Sequence, residues 1–323
     1  MADASAAGGV TAFAPATVAN VTCGFDLLGF AIEEPGDRVT ARRRPEPGVT
    51  LEVYGDDGAL PRDPERNTAG VAVHALLEER RAAGEDTAGV ELRLRKGLPL
   101  ASGLGSSAAS AVAAVVAADA LFTVRSPRSR LLRCAMEGER VACGTAHADN
   151  AAPSLLGGLV LVRGDEPRVD TLPVAPDYFV AVVHPRAEVR TEVARAVLPR
   201  TVATRDAVAQ AGNLAALVSG LARGEDELVA TALVDVIAEP ARAGLAPGFP
   251  EVLDAARGAG ALGGGLSGSG PSLFAVTRGR DTAERVVAAL AAALEERGLA
   301  VDRFVSTLGA PGARLLEEAP CGS

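Results

Sequence analysis

The segment Pro99-Leu-Ala-Ser-Gly-Leu-Gly-Ser-Ser-Ala-Ala109 decides the organisation of this chain of 323 residues. It follows residues 90–95 (VELRLR), whose alternation of apolar and charged side chains predicts a β-strand with one exposed face. It opens residues 105–122, a run of small and apolar side chains that predicts a buried α-helix. A glycine-rich turn at a helix N-terminus presents unpaired backbone N–H groups to an anion, and the helix dipole favours negative charge there.

Two pairs of residues in this turn suit a phosphate group. Gly103 and Gly105 lack a Cβ, so the backbone can approach the ligand closely. Ser106 and Ser107 add hydroxyl groups that can bind a phosphate oxygen or a metal ion. A loop that only caps a buried helix explains the glycines alone somewhat better, so these residues indicate an anion site without establishing one.

The composition excludes several classes of function. The chain carries 32 basic and 41 acidic residues, 3% aromatic residues and no tryptophan, which argues against nucleic-acid binding. Lys96 is the only lysine, and there is no GxxxxGK[ST] string and no HRD segment, so P-loop and protein-kinase machinery is absent. Three histidines and four cysteines without a CxxC or HExxH motif make a zinc site an unsuitable interpretation.

The sequence predicts a cytoplasmic location. The first ten residues carry one acidic and no basic side chain, unlike the start of a signal peptide. The uncharged stretch 97–118 contains Pro99 and several Ser and Gly residues, which favours a buried helix over a membrane span. Scattered thiols fit a reducing compartment.

Hydrophobic patterning predicts a strand-rich first half and a helix-rich α+β second half. Residues 38–44 and 49–53 alternate like a β-hairpin, and residues 226–237 have helical periodicity. The polar stretch 164–170 (GDEPRVD) predicts a domain junction, which divides the chain into residues 1–165 and 166–323.

Four segments in chain order resemble motifs of one family. Residues 14–30 (APATVANVTCGFDLLGF) and 144–153 (GTAHADNAAP) resemble segments of homoserine kinases. The turn 99–109 and residues 263–272 (GGGLSGSGPS) resemble glycine-rich motifs of the wider GHMP kinase superfamily. A small departure at residues 22–23 stands where the family often has small or glycine residues. The resemblance extends over about residues 10–310 and marks the chain as similar to the homoserine kinases.

This resemblance implies an α+β, two-domain GHMP kinase fold. Residues 1–165 would form the ATP-binding N-terminal domain, with a left-handed βαβ unit, and residues 166–323 a C-terminal ferredoxin-like α/β plait. The implied reaction transfers the γ-phosphoryl group of ATP to the side-chain hydroxyl of L-homoserine, a step of threonine biosynthesis. The cofactors implied are ATP and Mg²⁺, and a homodimer is expected.

The resemblance assigns ATP binding to the whole glycine-rich turn and to one further asparagine. The residues are Asn67, Pro99, Leu100, Ala101, Ser102, Gly103, Leu104, Gly105, Ser106, Ser107, Ala108 and Ala109. Asn67 would lie beside the adenine, although an N-cap explains it almost as well. Ser107 and Glu139 would hold Mg²⁺; a solvated helix residue is the alternative for Glu139.

The resemblance also assigns substrate binding to Asn20, Asp26, His147, Thr191, Arg195, Arg242 and Gly268. Arg195 and Arg242 would clamp the substrate carboxylate, and Asp26 would bind its ammonium group. The alternatives are surface arginines, a turn-forming aspartate and, for His147, a core or capping histidine.

The resemblance places Asn150 where related kinases have an aspartate base, and an amide takes up no proton at useful pH. We hypothesise that the hydroxyl proton passes to the phosphate, with Glu139, Asn150 and Arg195 as the catalytic group. Asp149 is expected to point away from the site. Another small-molecule GHMP kinase, a non-catalytic ligand-binding relative and a structural interaction protein are the remaining alternatives.

Overall fold

The computed structural model describes residues 9–144, 148–164, 168–187, 189, 191–245 and 248–317. Its first part contains strands and helices in mixed order, with a short 3₁₀ turn at Thr22–Gly24. In chain order these elements are β1 (Val10–Ala19), β2 (Leu28–Arg44), β3 (Val49–Tyr54), α1 (Thr68–Ala82), β4 (Gly89–Arg95), α2 (Ser106–Asp119), α3 (Arg128–Cys143), α4 (Ala148–Leu156), β5 (Leu159–Arg163) and β6 (Arg168–Leu172).

The second part is richer in helices, as the patterning predicts. In chain order its elements are β7 (Tyr178–Pro185), α5 (Thr191–Ala196), α6 (Thr204–Arg223), α7 (Asp226–Ala232), α8 (Ala238–Arg242), α9 (Phe249–Gly258), β8 (Gly263–Leu266), β9 (Leu273–Arg278), α10 (Arg280–Glu295), β10 (Val301–Thr307) and β11 (Arg314–Leu316).

The larger sheet runs in the order β11-β1-β2-β4-β3, with β5 and β6 continuing from β2. Strands β3 and β4 are parallel and are joined through α1, which makes a βαβ unit. The predicted left-handed sense of this crossover stays a prediction. The predicted hairpin of residues 38–44 and 49–53 is wrong, because β4 lies between β2 and β3 and pairs with both. Alternation shows which side chains face the core, but it does not identify the partner strand.

The smaller sheet runs in the order β10-β7-β9-β8, and each neighbouring pair is antiparallel. Numbered along the chain this is the order 4-1-3-2 of a β-α-β-β-α-β plait. The glycine-rich residues 263–266 form the edge strand β8. Phe30 on β2 meets Phe274 on β9 edge to face, with ring centroids 5.9 Å apart, so the two sheets share a continuous apolar core.

Helix α2 lies in the centre of the larger core. Most of its residues are buried alanine and valine, and it packs against β1, β2, α1, α3 and α4. Because these side chains are short, neighbouring elements approach the helix from several sides. This packing fixes the N-terminal end of α2, where the glycine-rich turn leads into the helix.

The predicted helix of residues 226–237 is wrong in its second half, because α7 ends at Ala232. The carboxylate of Asp235 accepts hydrogen bonds from the backbone N–H groups of Ile237, Ala238 and Glu239. Asp235 therefore caps a new helix, α8, instead of continuing the previous one.

The predicted domain boundary at residue 165 stays a prediction. Strand pairing does not follow it. Strand β6 pairs with β5, and β11 returns from the end of the described chain to pair with β1, so both complete the larger sheet. Within the described ranges, we find no helix that is long and apolar enough to cross a membrane.

Candidate active site

A cleft of about 400 Å³ opens where the glycine-rich turn faces the second sheet. Both parts of the chain contribute to its wall. The lining residues are Asn20, Asp26, Leu60, Thr68, Lys96, Leu100, Ala101, Ser102, Gly103, Gly105, Ser106, Ser107, Ser110, Glu139, Asp149, Asn150, Glu192, Arg195, Arg242, Gly268 and Ser269.

The glycine-rich turn forms one side of this cleft. The backbone is left-handed at Ala101, Gly103 and Gly105, with φ values of 50°, 77° and 66°. Among the described residues no side chain caps α2 at Gly105, which leaves the first N–H groups of the helix available to a ligand. Of the predicted ATP-binding residues within the turn, Pro99, Leu104, Ala108 and Ala109 do not line the cleft, and the last three are fully buried behind the turn.

The glycine-rich residues after β8 dock directly on this turn. Ser267 Oγ donates a hydrogen bond of 2.7 Å to the carbonyl of Gly103, and Ser272 Oγ donates one of 2.6 Å to the carbonyl of Ser102. A Cβ on Gly103 would clash with the carbonyl oxygen of Ser267 and lie 2.7 Å from that of Gly270. Glycine is therefore required at 103 by close backbone approach as well as by its positive φ.

Glu139 on α3 reaches the cleft beside Ser107, and it is only 2% exposed. Its Oε1 has no hydrogen-bond partner among the described residues. Burial raises the pKa of Glu139 to about 7, while the Ser107 hydroxyl and Lys96 oppose that rise. An unpartnered buried carboxylate oxygen beside a hydroxyl fits Mg²⁺, which takes few protein ligands and completes its shell with phosphate and water.

The described residues contain no group of three or more His, Cys, Asp or Glu side chains that could hold a metal ion by themselves. A metal at Glu139 would therefore depend on phosphate oxygens for much of its coordination. The hydroxyl of Ser107 would be its other protein ligand.

Asn20 organises the loop that carries Asp26. Its Oδ1 accepts from the backbone N–H of Asp26 at 3.1 Å, and its Nδ2 donates to the carbonyl of Gly268 at 2.8 Å. Asp26 itself has a positive φ of 54° and is exposed to the cleft. The structure thus brings together the predicted residues Asn20, Asp26 and Gly268. The Asn20 amide forms hydrogen bonds to the other two residues.

The two predicted arginine clamps lie at the same end of the cleft. Arg195 forms a two-pronged ion pair with Asp26, with N···O distances of 2.9 and 3.3 Å. Arg242 is only 4% exposed and stacks on the ring of Phe25, with 5.0 Å between its guanidinium carbon and the ring centroid. It donates to the carbonyls of Ala194 and Gly268. Burial lowers the pKa of Arg242, and the charge of Arg195 lowers it further.

Asp149 lines the cleft, so the expectation that it points elsewhere is wrong. It is 5% exposed, and burial together with the charge of Asp26 raises its pKa to about 7, while Arg195 and Arg242 oppose this. It sits in the first turn of α4, where Asn150 also faces the cleft and accepts a hydrogen bond from Thr17 Oγ1 at 2.9 Å. Its position directly before Asn150 was the feature of the sequence that could have indicated a role for Asp149 in the site.

Three predicted residues have different outcomes. Asn67 is 2% exposed and caps α1, with its Oδ1 accepting from Ala69 N and its Nδ2 donating to Pro61 O. Its contact with adenine stays a prediction. His147 lies outside the described residues, and Thr191 begins α5 but its side chain is not among those described.

Lys96 also lines the cleft, and sequence reasoning gave it no role. Its position three residues before Pro99 and its being the only lysine were the signals that could have identified it.

Comparison with known proteins identifies the family to which this fold belongs. The family model described as GHMP kinases N terminal domain matches residues 67–158, and that described as GHMP kinases C terminal matches residues 217–296. The chain is 48% identical over 317 residues to a homoserine kinase of Chlorobium phaeobacteroides, covering 95% of this chain and 99% of the relative. It is also 48% identical over 318 residues to a homoserine kinase of Chlorobaculum tepidum, covering 95% and 98%.

A solved structure agrees with these relatives. The crystal structure of homoserine kinase from Cytophaga hutchinsonii superposes with a TM-score of 0.92 at 44% identity, covering 98% of this chain and 100% of that one. The galactokinase of Lactococcus lactis, at 18% identity and a TM-score of 0.69, shares the fold. The predicted two-domain GHMP kinase fold is confirmed, and the chain belongs to the homoserine kinase family of the GHMP kinases.

Proposed function

We propose that this protein transfers the γ-phosphoryl group of ATP to the side-chain hydroxyl of L-homoserine, with Mg²⁺, as a step of threonine biosynthesis. One observation carries the proposal: an anion-binding turn and a set of charges that matches a zwitterion line the same cleft. Such a transfer requires positioning and charge neutralisation more than covalent chemistry, and the groups that line this cleft can supply both.

The turn binds the triphosphate in this proposal. The backbone N–H groups at the start of α2 and the hydroxyl of Ser106 are the donors, and the helix dipole adds to their field. This arrangement replaces the lysine of a P-loop, because peptide groups carry the positive potential.

Glu139 and Ser107 would hold Mg²⁺ against the phosphates. When bound, the ion neutralises charge on the transferring phosphoryl group. Without it, Glu139 stays a buried carboxylate with one oxygen that has no hydrogen-bond partner among the described residues, which supports the assignment.

The opposite end of the cleft suits the charged end of an amino acid. Arg195 and Arg242 offer a carboxylate up to two guanidinium groups, while Asp26 and Asp149 offer an ammonium group two carboxylates. Asp26 and Arg195 pair with each other in this structure. A zwitterion can replace this pair charge for charge, whereas a substrate with one charge would leave one partner unmatched.

We propose that no side chain acts as the base. Asn150 occupies the position of the expected carboxylate, and its amide cannot take the hydroxyl proton. Asp149 is the carboxyl next to Asn150, and its pKa is raised, but the charges that shift this pKa include Asp26, Arg195 and Arg242, at the amino-acid end. Asp149 also contributes to the raised pKa of Glu139, which we assign to the metal. We therefore propose that Asp149 binds the ammonium group of the substrate and that the hydroxyl proton is transferred to the phosphate.

The deciding experiment measures ADP release with ATP and Mg²⁺ against a panel of L-homoserine, mevalonate and shikimate. Turnover with L-homoserine alone supports the proposal, and preference for another alcohol refutes it. A rise in melting temperature with ATP but no turnover would indicate a ligand-binding relative.

The roles of Asp149 and Asn150 have their own test. Asp149→Asn should raise KM for L-homoserine and leave kcat within a few fold, while a fall in kcat of a hundredfold or more would identify Asp149 as the base. A large gain in turnover for Asn150→Asp would also contradict a base-free mechanism. The homodimer and the cytoplasmic location stay predictions, which light scattering and cell fractionation would check.

A further inference from the structure

The single lysine of the chain lies directly behind the glycine-rich turn. Lys96 follows the end of β4, and its side chain is 2% exposed. Its Nζ forms an ion pair with the carboxylate of Asp37, which is fully buried. It also donates to Ser106 Oγ at 2.8 Å, to the Ser106 carbonyl at 3.0 Å and to Ser110 Oγ at 2.9 Å.

Every N–H of this ammonium group has a partner within the protein. An ammonium group has three donors, and the side chains of Asp37, Ser106 and Ser110 accept one each. No donor is left for a ligand, so Lys96 takes part in hydrogen bonding to a ligand only through the groups that it holds.

Asp37 ties the same cluster to the start of the turn. Its Oδ1 accepts from the backbone N–H groups of Gly97 at 2.9 Å and Leu98 at 3.3 Å, and its Oδ2 accepts from Ser110 Oγ at 2.6 Å. The pair is neutral as a whole, because the charge of Asp37 cancels that of Lys96. Its effect on a bound phosphate therefore comes from orientation more than from net charge.

Ser106 is the group through which Lys96 reaches the cleft. Its oxygen accepts from Lys96, so its own hydrogen is directed elsewhere. Among the described residues, nothing accepts a hydrogen bond from this hydroxyl. Ser106 lines the cleft in the first turn of α2, which leaves its O–H free to donate to a ligand there.

We propose that Lys96 is a positioning residue for the phosphate chain of the nucleotide: it holds Ser106 as a hydrogen-bond donor towards a phosphate oxygen. This inference rests on the proposed function for the presence of ATP. It goes further by giving a role to a residue outside the glycine-rich turn and by fixing the direction of one hydrogen bond.

The test replaces the ion pair as a unit, because removing Lys96 alone would leave the buried charge of Asp37 unpaired. In the double variant Lys96→Met with Asp37→Asn, the amide oxygen can still accept from Gly97 and Leu98. We expect the Kd for ATP to rise at least about tenfold. The Kd for adenosine and the KM for L-homoserine should change less than about twofold, because neither ligand carries a phosphate at Ser106.

A matched control lies at the other end of α2. Arg80 and Asp119 form a second buried ion pair, with side chains 1% and 6% exposed, about 20 Å from Ser106 at the helix rise of about 1.5 Å per residue. Arg80→Met with Asp119→Asn should lower the melting temperature and leave the Kd for ATP unchanged.

The mechanism through Ser106 is tested by adding Ser106→Ala. Ser106→Ala alone should raise the Kd for ATP and leave the Kd for adenosine unchanged. Added to the Lys96 and Asp37 substitutions, it should raise the Kd for ATP by less than about a further twofold. Equal losses for ATP and adenosine, or independent losses that multiply, would overturn the proposal. If the double variant does not fold, unchanged ATP binding in Ser106→Ala overturns it equally. Wild-type protein that binds no ATP would refute the proposed function itself.

Discussion

Glu139 should make the free protein less stable than it could be, and replacing it should reveal this. Its side chain is buried, and its Oε1 has no hydrogen-bond partner among the described residues. Leaving a buried polar atom unsatisfied costs about 1–3 kcal/mol, and more for a charged group. Methionine has a similar length and no group to satisfy, so Glu139→Met should raise the free energy of unfolding by about 1–3 kcal/mol.

The same substitution should remove the catalytic activity. Loss of the metal ligand should lower turnover of L-homoserine at least about a hundredfold, equivalent to about 2.7 kcal/mol of transition-state stabilisation. Thermal unfolding without nucleotide measures the gain in stability, which should appear as a rise of a few degrees in Tm. The ADP-release assay measures the loss of activity. Mg²⁺ with ATP should raise Tm more for the wild type than for the variant.

A matched control lies two residues earlier on the same helix. The side chain of Glu137 is 48% exposed, and within the described part of the chain its ion pair is with Arg140 at the surface. Glu137→Met should therefore change stability by less than about 0.5 kcal/mol and leave turnover intact. A Glu139→Met protein that melts below the wild type, or that keeps its turnover, would refute the reasoning.

Three further substitutions test separate parts of the structure. Gly103→Ala should lower stability by about 1–3 kcal/mol and raise KM for ATP, because its Cβ meets the Ser267 carbonyl at a positive φ; a denaturant melt and initial rates measure both. Asn67→Ala removes the cap on Ala69 N and should lower the free energy of unfolding by about 1 kcal/mol. An increase in KM for ATP in the same variant would support the predicted contact with adenine. Burial raises the pKa of Glu239 from 4.5 to about 8, so folding favours its protonated form and stability falls as pH rises through that window. The Tm of Glu239→Gln relative to that of the wild type should therefore be higher at pH 8.5 than at pH 5. An equal difference in Tm at the two pH values would contradict the raised pKa.

Local patterns were sufficient for the elements around the phosphate turn. Alternation predicted β4, and a run of small and apolar residues predicted α2. The asparagine before α1 was offered as a cap, and Asn67 does cap that helix. These features depend on side chains a few residues apart, whose spacing is set by the strand and helix repeats. The same local reasoning identified α7 but missed its early end, because the carboxylate that caps the next helix competes with continued periodicity.

The sequence by itself determined the motifs, their order and the residue types that the proposed chemistry needs. Only the tertiary structure decided which of them meet. Strand β4 enters between β2 and β3, and Lys96 pairs with Asp37, 59 residues earlier in the chain. Asp149 joins Asp26, Arg195 and Arg242 at one end of the cleft although they come from separate segments. Strand partners and such charge clusters depend on how distant elements pack, and hydrophobic periodicity carries no information about which distant element will be the neighbour.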